Sequence, residues 1–198
     1  MRLSSCLFAV FACVASVGAW AADAPERIVF VRHGEKPPKG LGQLDCRGLN
    51  RALALPGFFA RAFGRPDAIF APNPTAEKAD AGVSYDYLRP LATIEPTAIA
   101  LGLPVNVEIG FADTAGLQKA LEAPSLAHAL VFVAWEHSLI DVVARKLLAA
   151  HGGVPAAVPE WGRDDFDGVY VVTLAAGAPA KFERMTQGLN GQPEACPR

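Results

Sequence analysis

The chain has 198 residues, enough for one domain with a sizeable core. Hydrophobic residues make up 52% of it and charged residues 19%, which excludes a largely disordered chain. A net charge of −2 excludes the basic footprint that a nucleic-acid-binding domain carries.

Met1-Arg2 is followed by a stretch without charge from Leu3 to Ala22, with its apolar centre over Leu7 to Val17. Ala19-Trp20-Ala21 then offers small residues at the two positions a signal peptidase reads. The expected organisation is a signal peptide over 1–21 and a single domain over 22–198, in a periplasmic or secreted protein that keeps no membrane span after cleavage. Two alternatives remain. A retained anchor is one, since about 20 uncharged residues can just span a bilayer. A lipoprotein through Cys13 is the other, weakened by bulky Phe11 where small residues are preferred. Cleavage would remove Cys6, Cys13, one arginine and no acid. Cys46 and Cys196 would then remain, able to pair in only one way or to stay as free thiols.

Ile28 to Val31 is a continuous apolar run of β-type residues, as a buried central strand requires. Gly34 to Gly42 reads as a loop. Leu49, Leu53, Phe59 and Phe63 then recur at helical spacing, with Pro56-Gly57 expected to kink or split that helix. Asp67 to Ala71 reads as a second strand, and the polar segment Asn73 to Tyr87 as a loop with no further assignment of structure, expected with the loop Gly34 to Gly42 to shape the mouth of a pocket. A helix is expected from Pro90 to Gly102, bent at Pro96. Val105 to Ile109 is strand-like, Thr114 to Leu121 helical, and Leu130 to Ala134 a third apolar strand. Ile140, Val143, Leu147 and Leu148 mark one helix face, closed by Gly152-Gly153. Gly168 to Leu174 reads as the last strand, with an irregular tail after Gly188. Alternating strands and helices predict an α/β fold, a three-layer sandwich with a central, mostly parallel sheet flanked by helices.

The chemistry is concentrated where strands end, the place where open α/β sheets build their sites. The first strand runs into Arg32-His33-Gly34-Glu35. Arginine offers a planar fork of donors for phosphate oxygens, and an imidazole can attack phosphorus near neutral pH. Glycine after the histidine lets the backbone approach an anion. The third apolar strand leads into Trp135-Glu136-His137-Ser138. Ser138 is expected to cap the following helix with Asp141 reaching back, leaving free amides beside His137 for an anion. Arg89 stands just before the helix at Pro90.

Two arginines and two histidines from three segments resemble the constellation of the histidine phosphatase superfamily, the phosphoglycerate-mutase-like proteins. Ile28 to Glu35 resembles the family's signature strand and nucleophile motif. Leu44 to Ala54 resembles its following helix start, Arg89 to Thr93 its arginine-then-threonine helix, and Val131 to His137 the strand bearing its second histidine. The resemblance implies that His33 attacks a phosphoryl group and holds it covalently. Arg32, Arg89 and His137 would cradle its oxygens. It implies a small phosphorylated substrate, water as the second reactant, and neither a metal nor a cofactor.

The sequence departs from the family at the general acid. Members commonly carry a glutamate after the strand that follows the arginine helix, where this chain reads Val107 to Thr114. Asp113 is the first candidate, although an aspartate there is also an ordinary helix cap. Glu108 is second and Glu136 third. His128 and His151 read as structural, and Asp164, Asp165 and Asp167 as a solvated turn that could line the pocket mouth. Three other functions stay open: a non-catalytic phospholigand-binding protein on the same fold, metal-assisted hydrolysis on His33, His137 and Asp113, and a mutase.

Overall fold

The computed structural model describes residues 24–198. The expected leader over 1–21, with Cys6 and Cys13, lies outside the described residues. β1 spans Glu26–Arg32, and its residues Ile28 to Val31 are completely buried. Side chains alternate across a strand, so an unbroken apolar run means that both faces are covered. Ile28 and Phe30 lie in one core with α3 (Thr114–Leu121) and α4 (His137–Ala150). Val29 and Val31 lie in a second core with α1 (Cys46–Ala62) and α2 (Arg89–Leu101). Each such side chain contributes about 1.5–3 kcal/mol on burial. β1 is therefore the axis of the fold.

Among the described residues the sheet has five strands in the order β2-β5-β1-β6-β7. β2 spans Ala68–Phe70, β5 Leu130–Trp135, β6 Gly168–Ala175 and β7 Ala178–Thr186. β1 and β2 run parallel to β5, whereas β6 is antiparallel to both β1 and β7. The sheet is thus mixed rather than mostly parallel. The cause is β6, which runs antiparallel to β1 and is followed through Gly177, at φ 71°, by β7, a further strand where the sequence pattern ends the strands. β7 is an edge strand that buries only Ala180, so it carries no apolar run.

Three other expectations change. α1 runs unbroken through Pro56, because Ala52, Leu55, Phe58 and Phe59 anchor it in the core and Phe59 stacks on Phe132 at 4.2 Å. Its buried face is this set, and Leu53 is exposed. Val105 to Ile109 forms only a bridge at Asn106, which pairs with Phe70 beside β2. There Asn106 Oδ1 takes the Glu108 N–H at 3.1 Å, an Asx turn that diverts the chain from the ladder. The segment Asn73 to Tyr87 contains a hairpin, β3 (Glu77–Asp80) and β4 (Val83–Asp86). Its two-residue turn places Ala81 at φ 50° and Gly82 at φ 85°.

Cys46, the first residue of α1, is disulfide-bonded to Cys196, with Cα atoms 4.5 Å apart. The tail is also held by Asn50, which donates to the carbonyls of Pro193 and Ala195 at 2.9 and 2.8 Å. Among the described residues, no helix is long and apolar enough to cross a membrane.

Candidate active site

β1 and β5 are parallel and in register, with Arg32 opposite Trp135. The His33 N–H continues the ladder to the Trp135 carbonyl at 3.2 Å. The two strand-end motifs therefore emerge side by side, which brings His33 next to Glu136 and His137. Arg89 arrives from α2. Gly42 accepts the N–H groups of Leu88 and Arg89 at 2.9 and 3.0 Å, and Thr93 Oγ1 accepts the Gly34 N–H at 2.9 Å. α1 closes against the same loop at Gly34 and Gly48. A Cβ on Gly48 would fall 2.3 Å from the Glu35 carbonyl oxygen. Glycine at position 34 thus serves close packing against α1, since a Cβ there would meet Gly48 at 2.9 Å.

A cavity of about 450 Å³ opens here, lined among others by Arg32, His33, Arg89, Glu136 and His137. His33 is almost completely buried, and its Nδ1 lies 2.7 Å from the Gly34 carbonyl oxygen. A carbonyl only accepts, so Nδ1 carries the proton and Nε2 keeps its lone pair. Burial holds His33 well below the usual imidazole range, helped by the charges of Arg32, Arg89 and Lys78. The ring packs edge-on to Tyr87 at 6.0 Å. His33 is a neutral, oriented imidazole, the form a nucleophile needs.

Both arginines are stacked and tethered at one end. Arg32 lies over the Phe166 ring at 3.9 Å and donates from one terminal nitrogen to the carbonyls of Arg163 and Asp165. Arg89 lies over the Tyr87 ring at 4.8 Å and donates to the carboxylate of Asp80. The Nε–H of each is buried and has no acceptor among the described residues. Buried donors of this kind are costly unless satisfied. Both arginines line the cavity beside His33 and give that wall positive charge.

The second motif is arranged differently from the expected capping box. Glu136 is the N-cap of α4, accepting the Leu139 N–H at 3.1 Å and the Ser138 hydroxyl at 2.6 Å. Asp141 instead accepts the Trp161 N–H at 2.8 Å. His137 Nδ1 lies 2.9 Å from Glu136 Oε1, off the line of a hydrogen bond, and Lys78 Nζ lies 3.4 Å from the same oxygen. Burial works against the charge on Glu136, yet these contacts hold it well below the usual carboxylate range.

The first two candidates for the general acid lie elsewhere. Asp113 is exposed and caps α3, accepting the Gly116 N–H at 2.7 Å. Glu108 is exposed beside a separate depression along β2. Neither lines the cavity, so His33, His137 and Asp113 are not gathered as a ligand set either. The loops 34–42 and 73–87 do reach the cavity, but the sequence does not single out Lys36, Lys78 and Asp80 within them, nor Arg163 and Phe166, which line it with Asp164. Lys78 and Asp80 come from the unassigned hairpin, and the turn residues Ala81-Gly82 were the one available signal for it. Asp80 is paired with both Lys36, at 2.9 Å, and Arg89.

No family model matches the chain. A 59-residue stretch is 42% identical to recombination protein RecR of Synechococcus sp., over 29% of this chain and 30% of that protein. The chain therefore spans about a third of that relative, too little to assign its activity here. Solved structures match far more of the chain. The mycobacterial glucosyl-3-phosphoglycerate phosphatase is 14% identical over 81% of this chain and 97% of its own, with a TM-score of 0.55. Phosphoglycerate mutase from Plasmodium falciparum is 12% identical over 83% and 92%, with a TM-score of 0.55. A phosphoserine phosphatase variant from Entamoeba histolytica in complex with phosphoserine is 11% identical over 83% and 98%, with a TM-score of 0.52. At these identities the likeness establishes a shared α/β fold of the phosphoglycerate-mutase-like kind.

Proposed function

We propose that this protein is a phosphatase of the histidine phosphatase superfamily that removes phosphoryl groups from small phosphomonoesters through a phosphohistidine on His33. One observation carries the reading: a buried, neutral imidazole with Nδ1 fixed by Gly34 shares one cavity lining with Arg32, Arg89 and His137. The Nε2 lone pair attacks phosphorus and the ester oxygen leaves. Arg32, Arg89 and His137 hold the equatorial oxygens as charge develops on them. Water then attacks the phosphohistidine, releases phosphate and returns the electron pair to Nε2. The positive groups that offset the charge are side chains of this chain, so the step as drawn needs no metal. The leader read over 1–21 supports an exported protein, and the domain occupies 22–198.

Steady-state turnover of para-nitrophenyl phosphate by wild-type and His33→Ala protein tests the assignment. The variant should keep less than about one percent of the rate. More than that removes His33 from the nucleophile role. The second reading, a non-catalytic phospholigand-binding protein on the same fold, is favoured by a different observation: neither Asp113 nor Glu108 lines the cavity. Tight phosphate binding without turnover of any phosphoester would select it.

A further inference from the structure

A departing alkoxide must be protonated as its bond to phosphorus breaks, and the cavity is poorly equipped for that. The carboxylates lining it among the described residues are Asp80, Glu136 and Asp164. Glu136 takes a hydroxyl and an amide, with the Lys78 ammonium 3.4 Å from its Oε1 and the His137 ring beside it. Asp80 is tied to Lys36 and Arg89. Carboxylates paired in this way are anions with no proton to give. Asp164 is exposed at the rim, in water. What the cavity holds instead is further positive charge. Lys78, carried over the site by the β3–β4 hairpin, places its Nζ 5.0 Å from the centre of the Tyr87 ring, the ring that also packs against His33. Arg163 and Lys36 complete the lining. A positive wall without a protonated carboxyl group best stabilises a leaving group that departs as a weakly basic oxyanion.

We propose that the preferred substrates are phosphoric anhydrides, in which the departing group is itself a phosphate, and that Lys78 steadies the departing oxygen. This rests on the phosphohistidine reading above. His33 Nε2 forms a bond to the terminal phosphorus, and the bond from that phosphorus to the bridging oxygen breaks. The electron pair stays on the bridging oxygen, which leaves as part of the inner phosphate. Water then attacks the phosphohistidine and the N–P bond breaks. Inorganic phosphate is released and the water proton passes to solvent.

The test compares ADP with AMP, which carry the same adenosine but lose phosphate and alkoxide respectively. Phosphorylation of His33 from para-nitrophenyl phosphate is followed in the same samples. The proposal expects kcat/KM for ADP to exceed that for AMP by about a hundredfold, the lower end of what a general acid contributes. Lys78→Gln should lower ADP turnover about tenfold or more and para-nitrophenyl phosphate turnover much less. His33 labelled, with ADP hydrolysed no faster than AMP, overturns this inference alone. An equal fall on both substrates in Lys78→Gln overturns the role of Lys78. An unlabelled His33 overturns the phosphohistidine reading beneath both.

Discussion

Glu35 accepts two hydrogen bonds from Arg51, from Nε at 2.9 Å and from Nη2 at 2.8 Å, which ties the loop after His33 to α1. Arg51 is fully buried and also donates from Nη1 to Asp167 at 3.1 Å and to Gln187 at 3.0 Å. One side chain thus joins the loop after His33, the first helix and both ends of the β6–β7 hairpin.

Removing that cation strands two carboxylates in the interior. Arg51→Met should cost about 3–5 kcal/mol, as breaking a buried pair from one side does. Urea unfolding measures it, and a loss below about 1 kcal/mol would show that the network adds little. The pH dependence has a defined sign. Burial raises the Glu35 pKa, but the Arg51 bonds outweigh it and hold the folded value below the ordinary 4.5. The stabilisation is therefore complete above the unfolded value and lost as pH falls through the lower folded one. Glu35→Gln should flatten the acid side of the wild-type stability curve in that window.

Asp113 caps α3 and does not line the cavity. Asp113→Ala should lower stability by about 1 kcal/mol, the worth of an N-cap, with alkyl and aryl phosphates turned over as before. A selective loss of turnover on alkyl phosphates would return the general-acid role to Asp113.

The Cys46–Cys196 bond spans a sequence separation of 150 residues. In the chain-entropy account a loop of this size contributes about 5 kcal/mol. Protein with Cys46→Ser and Cys196→Ser should unfold at lower urea concentration than oxidised wild type, and reductant should shift only the wild type. Identical midpoints for all three would contradict a stabilising bond.

The neutral state of His33 predicts a pH profile. Its folded value lies well below the ordinary 6.5. Phosphoenzyme formation should therefore hold level as pH falls through 6.5 and decline only at lower pH, where the imidazole gains a proton. Stopped-flow measurement of the first turnover reads this directly. A decline centred at 6.5 would mean an exposed, ordinary histidine.

How much of this was legible in the sequence depends on burial. Ile28 to Val31 and Val131 to Ala134 are covered on both faces, so they read as apolar runs and place His33 and His137 at their ends. Gly102, a left-handed cap at φ 61°, closed α2 where the sequence placed it. The hairpin carrying Lys78 and Asp80 has short, mostly exposed strands and no periodic pattern. Its contribution arises only when it folds across the cavity. β7 escaped for the same reason, being an edge. Asp113 caps α3 outside the cavity lining, a placement set by loop geometry that no pattern of hydrophobicity records.

The central claim is a covalent bond between phosphorus and His33. Protein mixed with para-nitrophenyl phosphate and quenched in alkali within the first turnover should yield, by peptide mass spectrometry, a phosphoryl group on the peptide containing His33. The label should be lost on acid treatment and be absent from His33→Ala. Full turnover by wild type with no phosphoryl group on His33 at any quench time would contradict the account.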